Sequence, residues 1–289
     1  MRTVTKDTIT QAFLGYMAPD TDPRLREVLT SLARHLHAFV KETNLTHAEW
    51  EKGIEMLEWA GEISDTERHE MILLSDLLGI SSLVDMVNMV PGGTSSSVLG
   101  PFHISGAPEI PIGFDMKRHF PGEVLLATGV IKNAAGTPIE GARIDIWQTA
   151  PNGLYSSQDP EQDTYSFHGI QTTGADGRYA FTTVKPVSYE VPTDGPGGAL
   201  LDATGRHAWR PSHLHFIVKA NGYRTLVSEI FADDDPYLDE DAVFGVREDL
   251  VMQYAEHPAG TFPAEGFELS GKVDGPWLKA EFDLVLTPG

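Results

Sequence analysis

The stretch from Gly205 to Ala220, GRHAWRPSHLHFIVKA, decides how the chain is read. From His213 onward apolar and imidazole side chains alternate, with Leu214, Phe216 and Val218 in one row and His213 and His215 in the other. Successive side chains of a strand point to opposite faces. The spacing therefore predicts a strand with an apolar row turned to a core and two imidazoles together on the other face, roughly 6–7 Å apart along the backbone.

The same short, turn-bounded segments recur on either side. EVLLATGVIK (123–132), ARIDIWQT (142–149), GRYAFTTV (177–184) and TLVSEIFA (225–232) are β-branched and bounded by turn residues, and so predict strands. WLKAEFDLVL at the C-terminal end places Leu278, Ala280, Phe282, Leu284 and Leu286 on one face, and Lys279, Glu281 and Asp283 on the other. No segment of helical length and period separates these strands after Pro101, so an antiparallel β-sandwich is expected rather than a parallel βαβ sheet. The first 90 residues differ. In DPRLREVLTSLARHLHAFV, Leu25, Val28, Leu29, Leu32, Leu36, Phe39 and Val40 recur at spacings of three and four. Thr46 with Glu49 forms the pattern of a capping box, opening a helix that carries Trp50, Ile54 and Leu57 on one face. A third apolar run, MILLSDLLGISSLVDMVNMV, stops at Pro91-Gly92-Gly93. The expected organisation is α+β: a helical N-terminal domain over 1–100, then a β-sandwich domain over 101–289.

Composition narrows the chemistry. The chain has 289 residues, enough for a sizeable core, and a formal net charge of −21, which repels phosphate backbones and anionic lipid headgroups. It has no cysteine, so disulfides, thiolate nucleophiles and iron–sulfur clusters are excluded, and any metal must be held by nitrogen and oxygen. No stretch approaches ~18 uninterrupted apolar residues, and MRTVTKDTITQAFLGYM lacks the apolar core of a signal peptide. A cytoplasmic protein, with neither nucleic acid nor membrane insertion among its partners, is the expectation.

His213 and His215 can converge on one ion. An isolated HxH is also what a solvated strand carries, but here Pro211 fixes the chain just before the pair and Arg210 sets a permanent cation beside it. Upstream, TAPNGLYSSQD places Tyr155 just after a strand and turn, and PVSYEVPTDGPGG places Tyr189 in a proline- and glycine-rich loop. Two phenolates and two neutral imidazoles would suit Fe(III) with a position left for water or substrate. Spacing alone leaves open whether the tyrosines join the histidines or only pack at the rim.

Over nearly its whole length the sequence resembles the intradiol ring-cleaving dioxygenases, the catechol, chlorocatechol and hydroxyquinol 1,2-dioxygenases. The matching pieces are LLSDLLGISSLVD, GPFHISGAP, IDIWQTAPNGLYS, TTGADGRYAF, SYEVPTDGPGG, GRHAWRPSHLHF and DPYLDEDAVFG. The spaced set NGLY, SYEVP, RPSHLHF is specific where no single piece would be. The resemblance implies Fe(III) held by Tyr155, Tyr189, His213 and His215, with Tyr189 acting also as a base and Arg210 stabilising negative charge on the ring. It implies a substrate pocket formed by Leu73, Asp76, Val98, Leu99, Gly100, Pro101, Phe102, Val191 and Pro192, and a homodimer joined through its helices around a phospholipid. PTDGPGG, GRHAWRP and DPYLDEDAVFG are most similar to the hydroxyquinol branch, where Asp76 would accept a hydrogen bond from the extra ring hydroxyl. Catechol or a chlorocatechol is the alternative substrate. Three positions depart from the family pattern: Ser212 for alanine, Gly197 for valine, and Glu229 for glutamine or histidine, the last adding a carboxylate beside the pocket.

Two rival readings stand beside this one. GTPIEGARIDIWQT and TTGADGRYAFTTV also resemble prealbumin-like sandwich modules, which are not enzymes. A ferrous site of His213, His215 and Glu229 is the other, provided the strand of Glu229 lies beside 213–220. The absence or presence of phenolate-to-iron colour separates both from the ferric reading.

Overall fold

The computed structural model describes residues 3–66, 68–262, 267–269 and 273–289. The backbone divides into two compact units, one ending at Glu58 and one running from Trp59 to Gly289. The first contains α1 (Ile9–Gly15), α2 (Pro23–Thr43) and most of α3 (His47–Glu62). Asp22 caps α2 by accepting from the Leu25 amide at 2.8 Å, and Pro23 supplies the preset φ of a first helical residue. The capping box forms as the sequence predicts: the Thr46 amide donates to Glu49 and the Glu49 amide to Thr46 Oγ1, at 2.8 and 3.3 Å. Among the described residues no helix is long and apolar enough to cross a membrane.

The second unit begins with α4 (Glu70–Leu77) and α5 (Ile80–Asn88). The single apolar run 71–90 thus yields two helices, broken at Gly79, whose φ of +70° lies in the left-handed region. The strands are β1 (Phe114–Asp115), β2 (Val124–Asn133), β3 (Arg143–Trp147), β4 (His168–Thr172), β5 (Arg178–Val184) and β6 (Tyr189–Glu190). A helix, α6 (Pro196–Thr204), follows, then β7 (Trp209–Arg210), β8 (His213–Lys219), β9 (Leu226–Ala232), β10 (Val251–Met252), β11 (Ala255–His257), β12 (Trp277–Glu281) and β13 (Leu284–Leu286). One sheet has the order β1-β5-β2-β12-β11 with β13 also on β2; the other has the order β10-β9-β8-β3-β4. The pair β6-β7 stands apart.

Three expectations are corrected here. The sheets are mixed, not antiparallel: β12 and β13 run parallel to β2, β1 to β5, and β10 to β9. Alternation fixes which face of a strand is buried; strand direction depends on where the chain enters the sheet, which the pattern does not encode. A helix does intervene among the strands, α6, beginning in the Pro/Gly-rich stretch read as loop. Tyr189 opens the short strand β6 and pairs with Arg210 of β7, so it is held by a ladder and not by a loop.

The inner faces of the two sheets fill one apolar cluster. Leu125, Ile131, Phe181, Leu278 and Leu284 come from one sheet, and Ile144, Ile146, Leu214, Phe216, Val218 and Ile230 from the other. The core row predicted for β8 is therefore buried, and the reverse face of the β8 sheet carries the polar row. In register across β4, β3, β8 and β9 lie His168, Trp147, His215 and Glu229.

Candidate metal centre and active site

β8 sets His213 and His215 side by side, and both are buried. Their Nε2 atoms lie 3.0 Å apart. His213 Nδ1–H donates to the carbonyl of Pro211 at 2.7 Å, which fixes the tautomer and leaves the Nε2 lone pair free. Trp147, opposite His215 in the ladder, stacks on its ring with centroids 4.6 Å apart and planes 3° from parallel.

Tyr155 follows β3 through a turn made at Gly153, whose φ is +80°. Its amide donates to Gln158 and its ring stacks on Phe102 at 4.8 Å. These contacts bring its hydroxyl to 3.0 Å from His215 Nε2, 3.4 Å from His213 Nε2 and 3.4 Å from the Tyr189 hydroxyl. Four ring groups from β8, β6 and one turn therefore converge. The two imidazole nitrogens and the phenol oxygen can aim their lone pairs at one point. A cation between them satisfies every lone pair, and ligand atoms about 3 Å apart are the spacing that ~2.0–2.2 Å metal bonds produce. The donor set thus fits a hard or borderline metal ion.

The electrostatics of the imidazoles agree. Burial pushes the His213 imidazole down to about 4, helped by the Arg210 charge, and pushes His215 well below the usual range. Both are neutral near pH 7, as ligands must be. Burial drives the Tyr155 hydroxyl well above its ordinary value, with Tyr189 adding to the rise. Tyr189 is also raised by burial, but there the Arg210 charge opposes the shift ahead of every other influence.

Behind the ligands lies a buried charge cluster. Arg210 Nη1 and Nη2 donate to Glu229 at 2.8 and 3.1 Å, while Nε and Nη2 donate to Asp241 at 3.0 and 3.2 Å. Ser97 Oγ donates within 2.6 Å of the second Glu229 oxygen. Burial alone would raise Glu229, but Arg210 and His213 outweigh it and hold the carboxyl below its usual value. Burial likewise opposes the Arg210 charge, but Asp241 and Glu229 outweigh it, so the guanidinium stays charged. Glu229 Oε1 also lies 3.4 Å from His213 Nε2 and from His215 Nδ1. With both rings neutral these are contacts and not ion pairs, and His215 Nδ1 makes no hydrogen bond among the described residues. The departure at 229 is therefore ion-paired to Arg210, which Asp241 shares, and is not a free carboxylate beside the substrate.

The remaining predicted residues differ in their surroundings. Leu73, Val98 and Val191 belong to one buried apolar cluster with Leu77, Leu201 and Val243. Phe102 packs with Trp147, Tyr155 and Tyr189. Pro101 is buried, Pro192 half-buried and Leu99 exposed. A Cβ on Gly100 would stand 3.6 Å from His215 Cε1, so the chain passes directly over that ring. Gly197 faces Leu73 and Leu77, where a Cβ would come within 2.9 Å of Leu73, so its small size seats α6 against α4. Ser212 is buried and its amide donates to Asp235 at 2.8 Å. Asp76, on α4, is buried with neither oxygen hydrogen-bonded among the described residues. Burial raises its carboxyl to about 6.

Asp241, Ser97 and Gly245 carry part of this arrangement and were not singled out from sequence. A Cβ on Gly245 would meet Arg210, Glu229 and Asp241 at 2.7–2.9 Å. Asp241 and Gly245 lie in DPYLDEDAVFG and Ser97 just before Pro101, but a buried ion-pair partner 31 residues from Arg210 has no local pattern.

Comparison with known proteins gives two family matches: the family described as "Dioxygenase" over residues 100–288 and "Catechol dioxygenase N terminus" over residues 22–91. The chain is 48% identical over 279 residues to hydroxyquinol 1,2-dioxygenase of Rhizobium sp. (strain MTP-10005), covering 96% of this chain and 93% of the relative. It is 43% identical to hydroxyquinol 1,2-dioxygenase of Nocardioides simplex, covering 92% and 90%. The crystal structure of hydroxyquinol 1,2-dioxygenase from Pseudomonas putida DLL-E4 superposes with a TM-score of 0.85 at 41% identity, over 98% of this chain and 99% of that one.

Proposed function

We propose, since this chain belongs to the intradiol ring-cleaving dioxygenase family, that it opens hydroxyquinol (1,2,4-trihydroxybenzene) between its vicinal hydroxyls. Both atoms of O2 enter the product, 3-hydroxy-cis,cis-muconate, the enol form of maleylacetate. The supporting observation is a buried site in which the Tyr155 hydroxyl stands 3.0–3.4 Å from two imidazole nitrogens and from the Tyr189 hydroxyl.

Tyr155, Tyr189, His213 and His215 would hold the iron that the family uses, in its ferric state. When bound, ferric iron supplies a Lewis acid that draws electron density from the deprotonated diol, so that the ring reacts with O2. The protein's own groups do the rest. Tyr189 Oη takes a proton from a substrate hydroxyl: burial raises its basicity, and Arg210, opposite it in the β6–β7 ladder, opposes that rise. His213 is held in one orientation by Pro211 and His215 by the Trp147 stack. Arg210, clamped by Glu229 and Asp241, offers a fixed positive edge 3.3 Å from His213 Nε2 toward charge developing on the ring. Leu73, Val98, Val191 and Phe102 exclude water, with Leu99, Gly100, Pro101 and Pro192 completing the wall. Asp76 accepts from the third ring hydroxyl; it is a buried carboxylate on α4.

Glu229 does lie beside His215 in the ladder, which the ferrous two-histidine, one-carboxylate reading requires. Its oxygens are committed to Arg210 and Ser97, and this favours the phenolate set. The two sheets around one core form the catalytic sandwich, over 101–289. The helical part, within 1–100, joins two copies into a homodimer around a phospholipid.

The test is oxygen uptake by iron-loaded protein with hydroxyquinol, catechol and chlorocatechols, with product spectra recorded. Hydroxyquinol should turn over fastest, and the protein should show visible phenolate-to-iron absorption. Turnover of hydroxyquinol no faster than catechol defeats the substrate reading; a colourless iron-loaded protein defeats the ligand set.

A further inference from the structure

On the same face of the β3–β4–β8 sheet, a second group of ligand-type side chains stands apart from the iron site. Asp145 lies two residues before Trp147 on β3, and so on the same face. His168, on β4, is opposite Trp147 in the ladder, and His103 comes from the segment before β1. The two imidazoles address one carboxylate: His103 Nε2 lies 3.1 Å from Asp145 Oδ2, and His168 Nε2 lies 2.7 Å from Asp145 Oδ1. All three donor atoms fall within 4.8 Å of one another.

We propose that His103, Asp145 and His168 form a second metal site, selective for a borderline divalent cation such as Co(II) or Zn(II), separated from the iron centre by the Trp147 indole.

Three observations carry this. The first is spacing: atoms about 3 Å apart occupy neighbouring corners of a polyhedron with ~2.0–2.2 Å metal bonds. The second is ligand type. Two imidazoles and one carboxylate, with no thiolate in the chain, match borderline cations better than Ca(II) or Mg(II), which prefer oxygen throughout. On binding, each imidazole gives up the Nε2 proton that it now donates to Asp145, takes the Nδ1–H tautomer, and turns the Nε2 lone pair to the ion. The third is access. His103 and Asp145 line an open cleft of about 220 Å³ together with Ser105, Gly106, Arg143 and Lys219, so water can complete the coordination sphere. Arg143 pairs with Glu109, which offsets its charge at the cleft.

The site is joined to the iron centre by packing. His103 lies edge-on to Trp147 at 4.7 Å, and Trp147 stacks flat on His215. The two groups share no ligand, so the second site does not depend on the proposed function.

The experiment is equilibrium dialysis of iron-loaded protein against Co(II) alone, with iron retained in the protein measured in parallel and the Co(II) visible bands recorded. We expect one Co(II) per chain beyond the iron, no loss of iron, and affinity lowered about 100-fold or more by His103→Ala, since even outer-shell changes cost metal sites 10–100-fold. Should His103→Ala fail to fold by circular dichroism, His103→Gln gives the same comparison with the volume kept. No stoichiometric Co(II), Co(II) bound only as iron leaves, or equal affinity in the folded variant overturns the proposal.

Discussion

At the scale of single residues, the polar groups of the second unit divide by whether the sequence shows their partners. His213 and His215 announce themselves, because strand period alone puts them on one face. Asp76 does not: a helix aspartate reads as solvated until burial is known. In the structure it is buried, and desolvation lifts its carboxyl to about 6 from an ordinary 3.8. The sign follows. A raised carboxyl favours the folded state in its neutral form; that contribution is fully present below about pH 4 and is lost as pH rises through 6. Asp76→Asn cannot ionise, so urea titration should find it more stable than wild type at pH 8 by on the order of 3 kcal/mol, with the difference gone near pH 4. The same substitution should lower the kcat/KM ratio of hydroxyquinol to catechol by about tenfold, the worth of one buried hydrogen bond to a carboxylate. An unchanged ratio would remove Asp76 from substrate recognition.

At the scale of elements, boundaries followed local chemistry where caps or turns were present and departed from it where distant backbone decided. The Thr46–Glu49 box marks α3 in the sequence and in the structure. WLKAEFDLVL reads as one strand but is two, because Asp283 accepts from the Val130 amide and Lys132 and so interrupts the ladder. Across that break, the Phe282 carbonyl passes over Gly129 of β2 and accepts from the Tyr179 hydroxyl at 2.6 Å. A Cβ at 129 would stand 1.9 Å from that oxygen. Gly129→Ala should therefore cost about 2 kcal/mol or more in chemical denaturation by forcing β12 away from β2. Little loss would show that the crossing yields easily.

At the scale of the whole molecule, the apolar stripe on α2 remains uncovered within its unit: Leu25, Leu32, Leu36 and Phe39 are each about half exposed, at 50–53%. Trp50 and Leu57 of α3 are similarly open. A row of this size is ordinarily covered by a partner. In sedimentation experiments the protein should run as a dimer, and Leu36→Glu/Phe39→Glu should shift it to monomer with iron content kept. A wild-type monomer would exclude the helical dimer. Legibility at this scale was uneven. Strand positions, the inward row of β8 and the helical N-terminal part could be read from side-chain period, since burial on one face imposes a pattern on neighbouring residues. Sheet direction, α6 within a Pro/Gly stretch, and the Arg210–Glu229–Asp241 clamp could not. The sequence by itself determined which residues face a core, which ligand chemistry the chain can offer, and the family it resembles. Only the tertiary structure decided that the Tyr155 hydroxyl meets two imidazoles and the Tyr189 hydroxyl, that Glu229 is ion-paired to Arg210, and that Asp145 gathers two histidines. Side-chain period is a short-range property of the backbone; convergence across many residues depends on how sheets and turns close in three dimensions, and no local spacing records it.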